Sequence, residues 1–390
     1  PHQVNFKGFP ASTGASFTTL FAGDRVATPP EHAPHFSESL LLLPCPFHLN
    51  GHRFRPAPPP PPGGAVLRPA SPPLPGDVFH DTVAARFRPD PPTLPGAAVL
   101  DAVCGWVWAP RDETEQWLRD AEAGCRGQGG DQHVPLNGSN YTILCSFNRP
   151  EKLEADTWTA WMDVMKSRPE TVLWLLRFEN LAVANLKKAA RAMGVAPERV
   201  IVSNLIPSKD ELRIKAGCDL FLDSWVYNAH GTAADAAFAS VPLLTLSGAS
   251  LAGRVAASLL LHPDRSMLEL VARSPQDFVD CGIALLKQIA GARTRARTRP
   301  PGGGRGDASM PSRSYARVRG LLAAAVAPSA AGIFDFSTWT IQWERALLLA
   351  ARAAATGVYE GGAEGPYQDS LERVQGAFHL VVSVGVAGDA

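Results

Sequence analysis

Between residues 141 and 261 short, uninterrupted apolar runs alternate with stretches whose apolar positions recur every three to four residues. The runs Tyr141–Phe147, Val172–Leu176, Val200–Val202, Leu220–Leu222 and Leu243–Leu246 predict strands buried on both faces. Between them, Glu154–Lys166 places Trp158, Trp161, Met162 and Met165 on one helical face, and Leu181–Met193 reads as a helix closed by Gly194. Lys209–Ala216, Thr232–Ser240 and Leu251–Leu261 complete the alternation. This pattern predicts an α/β fold, a Rossmann-like parallel sheet with helices on both faces, whose ligands bind beyond the carboxyl ends of the strands.

The flanking sequence is less regular. Residues 1–55 carry strand and loop signals, with alternation over Gln3–Phe6, a turn-rich Gly8–Gly14 loop and an apolar Leu40–Leu43, too little for an independent fold. Residues 56–98, with five consecutive prolines at Pro58–Pro62, read as an extended linker or insertion, and 99–290 as the nucleotide-binding type of lobe. Residues 291–312 read as a second linker, because alternating arginines and a Gly-rich run oppose packing. Helices are expected over Tyr315–Ala325 and Thr338–Ala355 within 313–356, and 357–390 is a weakly patterned tail.

At 390 residues, with 37 Lys+Arg against 37 Asp+Glu, the chain can bury a sizeable core and carries no overall field favouring nucleic acid or an anionic membrane. Its six cysteines show no paired spacing, so a reducing, cytoplasmic or nuclear setting is expected. Cys45, His48 and His52 lack a fourth neighbour for a metal, and no metal or other cofactor is expected. The chain has neither a signal layout nor a membrane-length apolar run, and it opens as if in mid-domain, so an N-terminal portion is expected to precede it.

Candidate chemistry concentrates in Leu222–Asp235, where strand Leu220–Leu222 hands over to the Ala-rich helix through Asn228-Ala-His-Gly-Thr232. Gly231 and Thr232 fall in the helix's first turn, where free N–H groups and the positive end of the dipole suit a phosphate. His230 can pair with a diphosphate, Thr232 can add a hydroxyl, and Asp235, one turn on, can hold a ribose. The same residues also fit a capped helix with a surface histidine. Convergence favours the phosphate: Lys152 and Ser208, like His230, follow strands by a few residues and reach the same sheet edge.

These runs resemble a known family. Cys145-Ser-Phe-Asn-Arg-Pro-Glu-Lys152, Val172–Arg177, Asn228–Asp235 and Thr245–Ser258 are similar to the carboxyl-terminal catalytic half of protein O-linked N-acetylglucosamine transferases. Pro1–Gly14 and Phe36–Pro44 resemble the end of the family's first catalytic lobe, and Trp339–Arg345 its closing helices. SPINDLY-type protein O-fucosyltransferases share the architecture. The resemblance implies a GT-B fold and an inverting, metal-independent transfer from UDP-N-acetylglucosamine to Ser/Thr hydroxyls of intracellular proteins; the alternatives are transfer from GDP-fucose, or a truncated nucleotide-binding protein without activity. It implies catalytic roles for Lys152 and His230 and donor contacts from Thr13, Gly231, Thr232 and Asp235. Neither nucleic acid nor membrane is an expected partner.

Departures from the family pattern put base recognition in doubt. Arg149 stands where glutamine is usual, and Ser208 and Glu211 replace a lysine and a base-stacking histidine, with Lys209 one residue from the missing lysine. The helical repeats and first-lobe histidine of the family have no counterpart in this sequence.

Overall fold

The computed structural model describes residues 3–48, 50–52, 142–176, 178, 180–203, 212, 215–216, 218–262, 267–298, 315–325, 333–356, 370–374 and 377–381. Two parallel-type sheets form two lobes. In the first, β1 (Val4–Asn5), β2 (Leu20–Asp24) and β3 (Ser39–Leu43) run parallel. The second holds β4 (Thr142–Ser146), β5 (Thr171–Leu176), β6 (Val200–Ser203), β7 (Leu220–Leu222), β8 (Leu243–Leu246) and β9 (Val271–Ala272), all parallel.

The second sheet has the spatial order β6-β5-β4-β7-β8-β9. Sequence order therefore reverses between β4 and β7, and such a switch point opens a crevice at the strand ends. Strands β4 and β7 are wholly buried, as the unbroken apolar runs require. Helices α1 (Ala155–Lys166), α2 (Asn180–Ala192), α3 (Gly231–Phe238), α4 (Val255–Leu261), α5 (Pro275–Thr298) and α6 (Tyr315–Ala325) accompany this sheet. Trp158, Trp161, Met162 and Met165 of α1 are all buried, as their spacing predicts. Gly194 ends α2 at φ +81°, a conformation that favours glycine.

The first lobe recruits distant sequence. Helix α7 (Phe336–Thr356) lays Trp343 and Trp339 on Phe6, with ring centroids at 4.5 and 5.7 Å, and buries Ala346 and Ala350 against the Leu40–Leu43 core. The tail expected to be weakly patterned supplies β10 (Ser370–Val374) and β11 (Ala377–Val381), an antiparallel hairpin whose β11 pairs parallel with β3. Residues 291–298, expected as the start of the second linker, instead continue α5 to Thr298. Arginine and alanine are strong helix formers, which suits this continuation. The Pro-rich segment and most of the expected Lys209–Ala216 helix lie outside the described residues.

Cys145 of β4 and Cys218, next to β7, form a disulfide spanning 73 residues. This departs from the reducing setting expected from cysteine spacing: the partners are brought together by strand adjacency, which spacing does not encode. Closing a loop of this length should contribute about 2–4 kcal/mol. Denaturant unfolding with and without reductant should show that loss; an unchanged midpoint would mean the bond adds nothing to stability.

No helix among the described residues is long and apolar enough to cross a membrane.

Candidate functional site at the sheet switch point

The loops after β4 and β7 meet at the crevice. Asp223, immediately past β7, is fully buried and organises both. Its Oδ1 accepts from Asn148 Nδ2 at 3.0 Å, Ser224 N at 2.9 Å and Ala229 N at 2.7 Å, while Oδ2 accepts from Thr245 Oγ1 at 2.8 Å. Burial pushes its carboxyl up to about 6, against the pull of Ala229 N–H, Thr245, Asn148 and the Lys152 charge. Asn148 then ties the loops to the helix: its Oδ1 accepts from Thr232 Oγ1 at 2.7 Å. The organising role of Asp223 was not legible as a site feature, and the bonds of Asn148 to Asp223 and Thr232 span 75 and 84 residues of chain, which local pattern does not encode.

A short 3-10 turn, Pro150–Lys152, carries Lys152 to the crevice. Its ammonium donates to Asn228 O at 2.8 Å and sits 3.9 Å from the Tyr227 ring centroid. One donor is thus engaged and the ring face supplies further stabilisation to the cation. Burial lowers the Lys152 pKa, opposed by attraction to Asp223. Arg149, at the rim, is exposed, 3.5 Å from Glu151 and 5.3 Å above the Phe178 ring.

His230 is the residue preceding α3, and its Nε2 lies 3.1 Å from Ala252 O. That carbonyl is held by backbone packing that tolerates only glycine. A Cβ at Gly253 would come within 2.6 Å of Trp225 O, and one at Gly248 within 3.1 Å of the same atom. Asn228 N also donates to Ala252 O at 2.9 Å, so the Gly248–Gly253 loop acts as the bed of the His230 turn. Burial lowers the His230 pKa to about 4, with Lys152 and Lys7 adding to it and the Ala252 contact opposing. The intrahelical bonds of α3 start with Ala233 N and Ala234 N on His230 O, leaving the Gly231 and Thr232 N–H groups ahead of the ladder. A Cβ at Gly231 would meet nothing within 4 Å.

The first lobe closes the crevice. Asp235 of α3 pairs with Lys215 Nζ at 2.9 Å and with His52 Nε2 at 2.7 Å, the latter from the first-lobe segment. An ionised carboxylate has roughly four acceptor positions, so capacity for a ribose hydroxyl remains beside these two partners. Arg254 Nε donates to Val26 O at 2.7 Å, and Asp24 Oδ2 accepts from Ser258 Oγ at 2.7 Å, so the Arg254–Ser258 segment is a lobe-to-lobe clasp. Thr13 lies apart from the cluster in its bonding: its hydroxyl and N–H donate to Glu38 Oε1 at 2.6 and 2.9 Å. Ser208, Lys209 and Glu211 lie outside the described residues.

Lys152, His230, Gly231, Thr232 and Asp235 are therefore brought together, with one ammonium group and a helix N-terminus among them. The chain is similar to known proteins over much of this region. Residues 133–298 match glycosyl transferase family 41. The chain is 31% identical over 143 residues to the UDP-N-acetylglucosamine–peptide N-acetylglucosaminyltransferase of Caenorhabditis elegans, covering 37% of this chain and 12% of that protein. It is 25% identical over 261 residues to a probable enzyme of the same name from Arabidopsis thaliana, covering 67% of this chain and 20% of the other. Among solved structures, a mutant O-GlcNAc transferase of Thermobaculum terrenum superposes with a TM-score of 0.51 at 20% identity, covering 90% of this chain and 50% of that one. That likeness shows the α/β GT-B fold. The chain spans a fifth or less of the curated relatives it matches.

Proposed function

We propose that this chain is a glycosyltransferase of the O-GlcNAc transferase type, whose second lobe binds the diphosphate of a UDP-sugar and serves transfer of N-acetylglucosamine to serine and threonine hydroxyls of proteins; the match of residues 133–298 to glycosyl transferase family 41 and the likeness to the curated relatives support this reading. The observation that carries this is the meeting of Lys152, His230 and the first turn of α3 at the β4–β7 switch point. When an acceptor oxygen attacks the anomeric carbon, the bond from that carbon to the diphosphate breaks and negative charge accumulates on the departing phosphate. Lys152 has donors left to meet that charge, and the Gly231 and Thr232 N–H groups are fixed beforehand by the helix. These groups supply what a divalent ion would otherwise provide, and attack from the face opposite the leaving group gives inversion.

His230 works here as a neutral hydrogen-bonding group. Asp223 acts one step back, positioning Asn148 and the Ala229 N–H and, through its charge, favouring the ammonium form of Lys152. Asp235 is placed one helical turn into α3, where a ribose attached to the diphosphate would lie.

Donor choice is tested by titrating the protein with UDP and GDP. The proposal expects UDP to bind the more tightly; tighter binding of GDP would assign the chain to the fucosyl-transferring branch of the same architecture.

A further inference from the structure

His48, which follows β3 in the first lobe, is more than nine-tenths buried, yet its Nδ1 makes no hydrogen bond to any other described residue. An unsatisfied buried polar atom is costly, so a structure that keeps one invites a ligand for it. The ring stands edge-on to that of His230, with centroids 5.8 Å apart, so it belongs to the wall facing the diphosphate region.

The surrounding contacts hold it there rigidly. On one side, Phe47 N donates to Asp24 Oδ2 at 2.9 Å, the oxygen that also takes the Ser258 hydroxyl of α4. On the other, His52 is bound to Asp235 of α3. Phe47, through Asp24 and Ser258, and His52, through Asp235, therefore tie the chain on either side of His48 to the second lobe. Lys7, in the left-handed region at φ +50° where the chain turns after β1, is near enough for its charge to bear on His48.

The charges bearing on His48 come from Lys7, His230 and His52, and those bearing on His230 from Lys152 and Lys7. All are positive or become so on protonation. With burial as the larger cause, they push the His48 pKa down to about 3, opposed by its own backbone carbonyl. His52 is itself paired with the Asp235 carboxylate, and an anion arriving beside the His48 ring would favour its protonated form.

Building on the diphosphate site of the proposed function, we infer that His48 is a first-lobe contact to the donor diphosphate, donating to a phosphate oxygen from Nδ1 and taking up a proton from solvent as the nucleotide binds. His48 and Lys7 would then close from the first lobe the site that Lys152, His230 and α3 form from the second.

The test is calorimetric titration with UDP at neutral pH in buffers of differing ionisation enthalpy, comparing wild type with His48→Phe, which keeps a ring against His230. The expected result is a Kd roughly ten- to a hundredfold weaker, as for loss of a charge-assisted hydrogen bond, and about one proton fewer taken up per UDP bound. Equal affinity, or weaker affinity with unchanged proton uptake, overturns the assignment of His48 while leaving the nucleotide site intact. Failure of the wild type to bind UDP at all removes the proposed function, and this inference with it. Should His48→Phe not fold, NMR titration of the His48 ring in the wild type decides: a pKa that rises when UDP is added is expected, and an unchanged one overturns the inference.

Discussion

Replacing Lys152 with alanine should lower sugar transfer by at least about a hundredfold while leaving the protein folded, because removal of one preorganised oxyanion contact typically costs about 3 kcal/mol or more. Stability should not suffer in proportion. Lys152 is partly buried and its ammonium is held against desolvation by the Asn228 carbonyl, the Tyr227 face and the Asp223 charge. Removing it also removes the desolvation cost. The readouts are transfer of labelled N-acetylglucosamine by a complete catalytic unit and the unfolding midpoint of the same variant. Equal turnover in variant and wild type would reduce Lys152 to a loop lysine satisfied by its own neighbours.

Replacing Asp223 with alanine should instead act on the fold, destabilising it by about 3–5 kcal/mol, as expected when a buried charged acceptor is deleted and its donors are left unpaired. The Ser224 and Ala229 N–H groups and the Thr245 hydroxyl would lose their acceptor, Asn148 would keep only Ser224 Oγ, and with Ala229 goes the approach to His230. Asparagine at this position should cost less, because its amide oxygen can still accept. Its cost should also depend on pH. The Asp223 carboxyl titrates at about 6 in the folded chain against an ordinary value of 3.8, so its contribution to stability is fully present below 3.8 and is lost as pH rises through 6. Asparagine does not ionise, so the penalty of Asp223→Asn should be smaller at pH 7 than at pH 4. Urea unfolding at both values checks this; the same penalty at each would show that Asp223 is not pushed up by burial.

The parts of this architecture legible in the sequence are those set by local pattern. Leu220–Leu222 and Leu243–Leu246 have the bounds expected of them, because continuous apolar runs of that length fit a strand covered on both faces. Lys152 and His230 were legible for a related reason: each follows a strand closely, and the topology delivers strand ends to one edge. What pattern does not encode is pairing across the chain. The β10–β11 hairpin places Glu372 opposite His379 and Arg373 opposite Phe378, without the clean alternation that marks a strand, and gains its place from β3, far away in sequence. The same holds for Asp223, whose donors lie on three separate segments, and for the Cys145–Cys218 bond. Thr13 shows the converse. Its turn was recognisable, but the hydroxyl's use depended on Glu38, which becomes a neighbour only in the folded lobe and is itself held down to about 2 by the Ser12, Thr13 and Ser37 donors once they outweigh its burial.

The central claim is that Lys152, His230 and the α3 N-terminus form a diphosphate site that needs no metal ion. Calorimetric titration of the protein with UDP in excess chelator tests it most directly. The account predicts saturable binding at one site per chain, unchanged when magnesium replaces the chelator and sharply weakened by Lys152→Ala. Binding that appears only with a divalent ion, or none under either condition, would contradict it.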